Sequence, residues 1–386
     1  MNHEPILVVS GVNLVEGGPL TVFREMVRAA TLHRPRWKIY ALVHRVGLLG
    51  VPGVMEMPFE RVKRSWLRRL QFEWFEAPKL CRRLNPDVWL SAHDISPRVD
   101  APRQFVYCHN AAAFSDIPAR QAWKDPTFAL FKAFYGTLYG LNIKRNDAVI
   151  VQQSWMREVF KRRYGVDQVI VAHPSGIPMQ SPPRARTDRP PRRFFYPTLP
   201  RVFKNIELIG EALERLEGEP TWQGEVVVTI DGSEHPYARQ LVARFGGLRS
   251  LRLIGRQSAE GIDQQYMACD ALLFPSLLET WGLPLSEAKD RGIPILAADL
   301  PYAHETVGDC AAVRFFDPKD AGALAHLLAA LSNGRASFES VRREPPEAPS
   351  ANGWPALLDM LLADGEARDR QPFAASAPRP SNRVDA

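Results

Sequence analysis

Two carboxylates eight positions apart, Glu279 and Glu287, bracket the stretch Thr280-Trp281-Gly282-Leu283, which leads into a helix start at Gly282-Leu283-Pro284. A carboxylate can accept two hydroxyl hydrogen bonds and so orient a sugar ring or a ribose. Upstream, Arg201, Lys204 and Asn205 follow a short apolar strand, Phe194 to Tyr196. Cations there can meet an anionic group, and the N–H groups of a following helix start add to the same field. His109 stands where the strand Gln104 to Cys108 ends, and the pair Gly17-Gly18 precedes the first helix. Hydroxyl acceptors beside cations suit a ligand with hydroxyls at one end and a diphosphate at the other. The sequence has no D-x-D triplet, so a divalent ion on paired aspartates is not the expected answer to that charge, and no metal site is expected.

Each group also has a plainer explanation. Two glutamates near a helix start can simply complement the helix dipole. A lone histidine is more often structural, although the C-terminal end of a parallel strand is where α/β sheets bind ligands. The Gly17-Gly18 loop can be no more than a tight turn. Taken one at a time, these residues do not decide between the two.

The elements that must position them alternate. Pro5 to Ser10 (PILVVS) is a short, fully apolar strand of the parallel-sheet type. A helix is expected from about 20 to 30, then strands at 38–44, 87–91, 104–108, 148–152 and 169–172, with an aromatic-rich helix at 128–142 and another at 155–164. Between 174 and 193 the apolar periodicity stops and prolines and arginines accumulate, which marks a linker. The pattern then restarts with strands at 194–196, 226–230, 251–254, 271–274 and 293–298. Helices are expected between them, near 321–331 and at 354–362. Alternating β and α predicts doubly wound parallel sheets, with domains at 1–173 and 194–345, a last helix at 353–363 and a disordered tail at 364–386.

Composition narrows the classes. The 386 residues are 45% apolar and 24% charged, and no run reaches a membrane span. The N-terminus enters a strand with no basic leader, so a cytoplasmic protein is expected. Four separated cysteines, Cys81, Cys108, Cys269 and Cys310, suggest neither a metal nor a disulfide framework. The net charge of +6 suits phosphate ligands or anionic lipid but is too diffuse to indicate nucleic acid. From 61 to 83, arginines interleave with Trp66, Phe72, Trp74 and Phe75. Read as one amphipathic helix, this segment could rest on an anionic membrane or be a packed helix with solvated arginines.

The letters around the carboxylates carry more. The pattern F-P-S-x-x-E-x-W-G-L-P-x-x-E-A, then G-I-P-I-L-A-A-D and E-x-V-G-D, between Phe274 and Asp309, resembles the retaining GT-B glycosyltransferases of family four. The resemblance implies two Rossmann-like domains facing a central cleft. It implies that Glu279 contacts the transferred sugar, the backbone from Thr280 through Trp281 and Gly282 to Leu283 the sugar and diphosphate, and Glu287 the ribose. Trp281 departs from the usual Gly or Phe. The family's second signature, Gly-Arg-Leu with a Lys three residues later, is met by YPTLPRVFKN, which keeps Lys204 and has Asn205 in the following place. Its arginine is absent where Leu199 stands, and Arg201 is the candidate to replace it. Gly17-Gly18 corresponds to the family's glycine loop and His109 to a histidine beside the transferred sugar. The last helix resembles a segment that crosses back onto the N-terminal domain.

The expectation is therefore transfer of a hexose, with mannose one candidate, from a GDP- or UDP-linked donor. No cofactor is expected beyond that donor. The acceptor would be a saccharide or polyprenyl-diphosphate-linked saccharide, as in lipopolysaccharide or exopolysaccharide synthesis, at the inner membrane face. A GT-B nucleotide-sugar epimerase or an inactive sugar-nucleotide-binding protein remain alternatives. A nicotinamide dehydrogenase is disfavoured, because the G-x-G-x-x-G fingerprint is missing from both domain starts.

Overall fold

The computed structural model describes residues 4–174 and 189–363. Most of the expected linker, and all of the expected tail, lie outside these residues. The chain forms two compact units. One comprises residues 4–109, 137–174 and 346–363, and the other residues 110–136 and 189–345.

The first unit is built on β1 (Ile6–Ser10), β2 (Lys38–Val43), β3 (Met55–Pro58), β4 (Val88–Ser91), β5 (Arg103–Cys108), β6 (Ala148–Val151) and β7 (Val169–His173). The second carries β8 (Arg193–Tyr196), β9 (Glu225–Val228), β10 (Leu251–Leu253), β11 (Ala271–Phe274), β12 (Ile295–Ala298), β13 (Cys310–Phe316) and β14 (Glu339–Val341). The chain then returns to the first sheet with β15 (Ser350–Asn352). The two orders are β15-β7-β6-β5-β4-β1-β2-β3 and β10-β9-β8-β11-β12-β13-β14. Every pairing is parallel except β13 with β14. Doubly wound parallel sheets are what the alternating pattern predicts.

Both faces of the first sheet are covered, which is why its strands are apolar throughout. Leu7 and Val9 point into one core with Phe23, Met26 and the C-terminal helix residues Trp354, Leu357, Leu358 and Leu361. Val8 points into the other with Leu42, Phe72 and Trp89. Successive strand residues must face opposite ways, so a two-sided core demands a continuous apolar run. Gly11, at the exit of β1, lies against Phe23: an added Cβ would fall 2.3 Å from that ring.

In each sheet the chain winds outward in one direction and then in the other. The reversal falls between β1 and β4 in the first sheet and between β8 and β11 in the second. Loops leaving the carboxyl ends of strands beside such a reversal diverge and leave a crevice. The loop after β8 carries Arg201 and Lys204, and the loop after β11 carries Glu279.

Several elements differ from the sequence reading. The first helix is Gly17–His33, so the glycine pair is its first turn rather than a loop before it. The basic aromatic segment is not one helix. A 3-10 turn (Val62–Arg64), a helix (Trp66–Gln71), a π turn (Phe72–Glu76) and a second helix (Ala77–Leu84) follow one another. Pro78 has no N–H to give the carbonyl of Trp74, and the Ala77 N–H instead reaches back to Phe72 O. The polar stretch from 332 to 352 contains β14 and β15, both short and at sheet edges. Among the described residues, no helix is long and apolar enough to cross a membrane.

Candidate functional site

In the second unit, the loops after β8 and β11 are stitched together by backbone. Leu277 N–H donates to Phe203 O at 2.7 Å, and the Ser276 hydroxyl donates to the same carbonyl at 3.2 Å. This brings Lys204 and Glu279, 75 residues apart in sequence, into contact, with Nζ 2.5 Å from Oε1. Both side chains are largely but not fully covered, 17% and 13% exposed. The Lys204 ammonium also lies over the rings of Phe203 and Phe274, 5.5 and 5.7 Å from their centroids. Two buried tyrosines feel the Glu279 charge: burial first and Glu279 second push the phenols of Tyr196 and Tyr302 well above their usual range. Their hydroxyls remain protonated donors, to Lys204 O at 2.9 Å and Ser276 O at 2.6 Å.

Arg201 lies at the start of the same turn and pairs through Nε with Asp125 Oδ2 at 2.6 Å. Asn205 adopts the left-handed conformation, φ 56°, and its buried amide donates to Pro275 O and Pro318 O. That side chain therefore clamps two loops together. Beyond it, Gly282 at φ 86° starts the helix Leu283–Asp290, with Pro284 in its first turn. A Cβ at Gly282 would press on Leu285 and Phe274 in a backbone shape that L-residues avoid. Thr280 and Leu283 are half-buried on either side of it.

Trp281 is turned inward and 7% exposed, with its indole N–H on Ser286 Oγ at 2.8 Å and its carbonyl accepting from Thr306. It packs the loop from beneath. Glu287 is held by the Tyr266 hydroxyl at 2.7 Å, and burial raises its pKa above the usual carboxylate range against the pull of Tyr266 and Arg291. Arg291 is held in turn by Asp263 at 2.8 Å and lies over the Tyr266 ring.

The first unit holds the remaining candidates. Gly17, at φ 71°, and Gly18 open the helix that follows β1. His109, just past β5, has Nε2 2.8 Å from Ala92 O. A carbonyl only accepts, so Nε2 carries the proton and Nδ1 is left as an acceptor. Burial keeps this ring neutral, lowering its pKa despite the nearby Asp94 carboxylate. Asp94, itself at φ 78°, accepts from the His109 N–H and from the Tyr139 hydroxyl. Beside it lies a buried cluster that the sequence reading did not single out. His93 Nε2 is 2.9 Å from Ser10 Oγ and 3.5 Å from Glu73, while Arg69 donates to His93 Nδ1 and to its carbonyl. Burial pushes the Glu73 pKa up to about 8 and the His93 pKa well down, so both are neutral at pH 7.

Of the residues singled out from the sequence, Lys204 and Glu279 are in contact, Arg201 lies in the same turn as Lys204, and Glu287 lies apart from them on the Tyr266 hydroxyl. Sequence reading missed Asp125, Tyr266, Tyr196, Tyr302 and the His93 cluster. Only Asp125 carried a local signal, because Asp before Pro is a helix-start pattern.

Residues 180–345 match the family model for glycosyl transferases group 1. O-antigen chain mannosyltransferase B of Escherichia coli is 30% identical over 132 residues, and the match spans 34% of each chain. The chain is thus matched over about a third of that relative's length. Among solved structures, the lipopolysaccharide outer core galactosyltransferase WaaB in its apo form superposes with a TM-score of 0.58 at 17% identity, covering 87% of this chain and 92% of that one. HepE of Anabaena in complex with UDP-glucose superposes with a TM-score of 0.56 at 15% identity, covering 86% and 95%. The match to glycosyl transferases group 1 is thus carried by residues 180–345, and the two doubly wound sheets are those of the GT-B fold.

Proposed function

We propose that the protein transfers a hexose, with retention of anomeric configuration, from a nucleotide diphosphate sugar to a saccharide or lipid-linked saccharide acceptor in surface-polysaccharide synthesis. The observation that carries this reading is the convergence of Lys204, Glu279 and Arg201 beside the β8/β11 reversal, one turn from a helix start. In this scheme the bond between the anomeric carbon and the phosphate oxygen breaks, and charge builds on the departing diphosphate. Lys204, Arg201 and the N–H groups around Gly282 oppose that charge. Glu279 accepts sugar hydroxyls, Glu287 accepts ribose hydroxyls, and neutral His109 offers Nδ1 as a further acceptor. The acceptor oxygen attacks from the face the diphosphate leaves, and its proton passes to a phosphate oxygen. No metal ion is needed in this scheme.

The donor pairs a GDP- or UDP-linked nucleotide with the hexose, and mannose is the sugar in the name of the Escherichia coli relative. The acceptor is proposed to lie at the inner membrane face. Trp66, Leu67, Trp74 and Phe75 are exposed on the broken helix of the first unit, among exposed Lys63, Arg64, Arg68, Arg82 and Arg83. Aromatic and leucine side chains flanked by basic ones suit an anionic lipid surface.

Incubation with GDP-mannose, UDP-glucose and UDP-galactose, with and without a lipid-linked saccharide extract, tests the proposal. The expected product is an acceptor-linked hexose with the donor's anomeric configuration, formed at an unchanged rate after EDTA treatment. A new sugar nucleotide formed without acceptor would instead identify an epimerase. Near-normal transfer by both Lys204→Ala and Glu279→Ala would sink the site assignment.

A further inference from the structure

Position 199, where the resemblance drawn from the sequence implies an arginine, is a leucine and half exposed. The nearest arginine is two residues on, and a displaced side chain needs a new support if its guanidinium is to point usefully. The structure supplies one from a distant part of the chain. The segment 110–136 is part of the second unit, although the domain boundary read from the sequence places it in the first. It is fixed to the loop after β8 and the helix that follows it at three points. Asp125 pairs with Arg201, Lys124 pairs with Glu207 at 3.3 Å, and the rings of Phe128 and Phe203 lie 5.4 Å apart. Glu207 is itself held by the Tyr237 hydroxyl.

The details of the Asp125 contact suggest a purpose. Asp125 is 4% exposed, and its two oxygens are divided. Oδ1 caps the helix Pro126–Gly140 by accepting from Phe128 N–H at 3.1 Å, which fixes the carboxylate plane. Among the described residues, Oδ2 accepts only from Arg201 Nε. A bidentate Arg–carboxylate pair would also engage an Nη group. Here both Nη groups have no partner among the described residues, and the Arg201 side chain is 30% exposed. The outer edge of the guanidinium is thus held out in a fixed orientation, and two parallel N–H donors are the geometry that grips a phosphate.

We propose that Asp125 is a positioning residue that holds Arg201 by Nε so that its Nη edge takes the diphosphate of the donor, in place of the arginine missing at 199. This rests on the donor-binding reading above. Asp125 itself does not touch the ligand. Its place in the donor site comes from the 110–136 segment, which brings an acid to a cation 76 residues later.

Calorimetric binding of UDP, UMP, GDP and GMP to the full chain tests it in wild type, Asp125→Asn, Arg201→Gln and the double variant. Asparagine is as good an N-cap as aspartate, so D125N removes the charge and keeps the helix start. Circular dichroism and the melting temperature check that the fold is kept. The expected result is a roughly tenfold loss of diphosphate affinity in D125N with a much smaller loss for the monophosphate, because the guanidinium is freed to reorient. The double variant should be no worse than R201Q, since both substitutions act through one group. If D125N binds the diphosphates as tightly as wild type, the inference is overturned and the donor-binding reading stands. An equal loss for mono- and diphosphates also overturns it, because that is the mark of general loosening. If wild type binds no nucleoside diphosphate, the donor-binding reading falls and this inference with it.

Discussion

Lys204 and Glu279 meet as opposite charges in a mostly covered setting, so each is the other's counterion until a ligand arrives. Lys204→Ala leaves a carboxylate short of its partner, which should cost about 1–3 kcal/mol of stability. Under the proposed scheme transfer should fall by roughly 100-fold or more, because there the lost cation would oppose charge that develops only as the diphosphate leaves. Steady-state rates and thermal melts on the same preparation check both numbers. Glu73 makes a prediction of another kind. Burial raises its pKa from 4.5 to about 8, with Arg69 pulling the other way. The folded state therefore holds a proton that the unfolded state gives up above about pH 4.5. The stability this lends is fully present below the unfolded pKa and is lost as pH rises through about 8. Denaturant midpoints should fall between pH 5 and pH 9 in wild type. Glu73→Gln, which cannot ionise, should flatten that fall and be the more stable protein at pH 9 by on the order of 1–3 kcal/mol. A profile unchanged by the substitution would show that Glu73 does not titrate in this range.

At the scale of elements, Asn205 joins three of them. It ends the 3-10 turn that carries Lys204, stands just before the helix Ile206–Leu216 and ties the loops after β11 and β13 by its amide. Asn205→Gly keeps the left-handed backbone open but loses two buried hydrogen bonds, so it should cost about 1–3 kcal/mol. Asn205→Ala adds strain at positive φ and should melt lower still. The order wild type, glycine, alanine in thermal melts is the expected outcome, and alanine above glycine would contradict the backbone argument. What the sequence shows of these elements follows from how local their causes are. Apolar runs such as Ala271–Phe274 and the Pro284/Gly292 punctuation reflect neighbours within a turn or two, and they announce the βαβ unit and its carboxylates. The π turn is less visible, because a proline two residues into a helix is ordinary and the bulge lies before it. β14 and β15 escape because edge strands of three residues need no apolar run. The Tyr266 hydroxyl on Glu287 and the Asp125 carboxylate on Arg201 are set by tertiary contacts that no spacing records.

For the whole molecule, neither unit is a continuous stretch of chain. The first closes its sheet with β15 and its core with the helix Trp354–Leu361, after the chain has built the second unit. Trp354, Leu357, Leu358 and Leu361 are each no more than 3% exposed, packed with Leu7, Val9, Phe23 and Met26. Burying a side chain of this size stabilises by about 1.5–3 kcal/mol, so four contribute roughly 6–12 kcal/mol before entropy. A domain's net stability is about 5–15 kcal/mol, so the first unit cannot spare them. A chain ending at residue 345 should therefore lose the cooperative melt of the first unit and expose its apolar face. The second unit, which has all of its segments before that point, should keep its own transition. Calorimetry of the truncated chain should show one transition where the full chain shows the melting of both units, and dye binding to apolar surface should rise. A peptide of residues 346–363 added in trans should lower the dye signal, and its Trp354→Ala, Leu358→Ala form should not. If the truncated chain melts as the full one does, the last helix is a surface attachment and the first unit's core is complete without it.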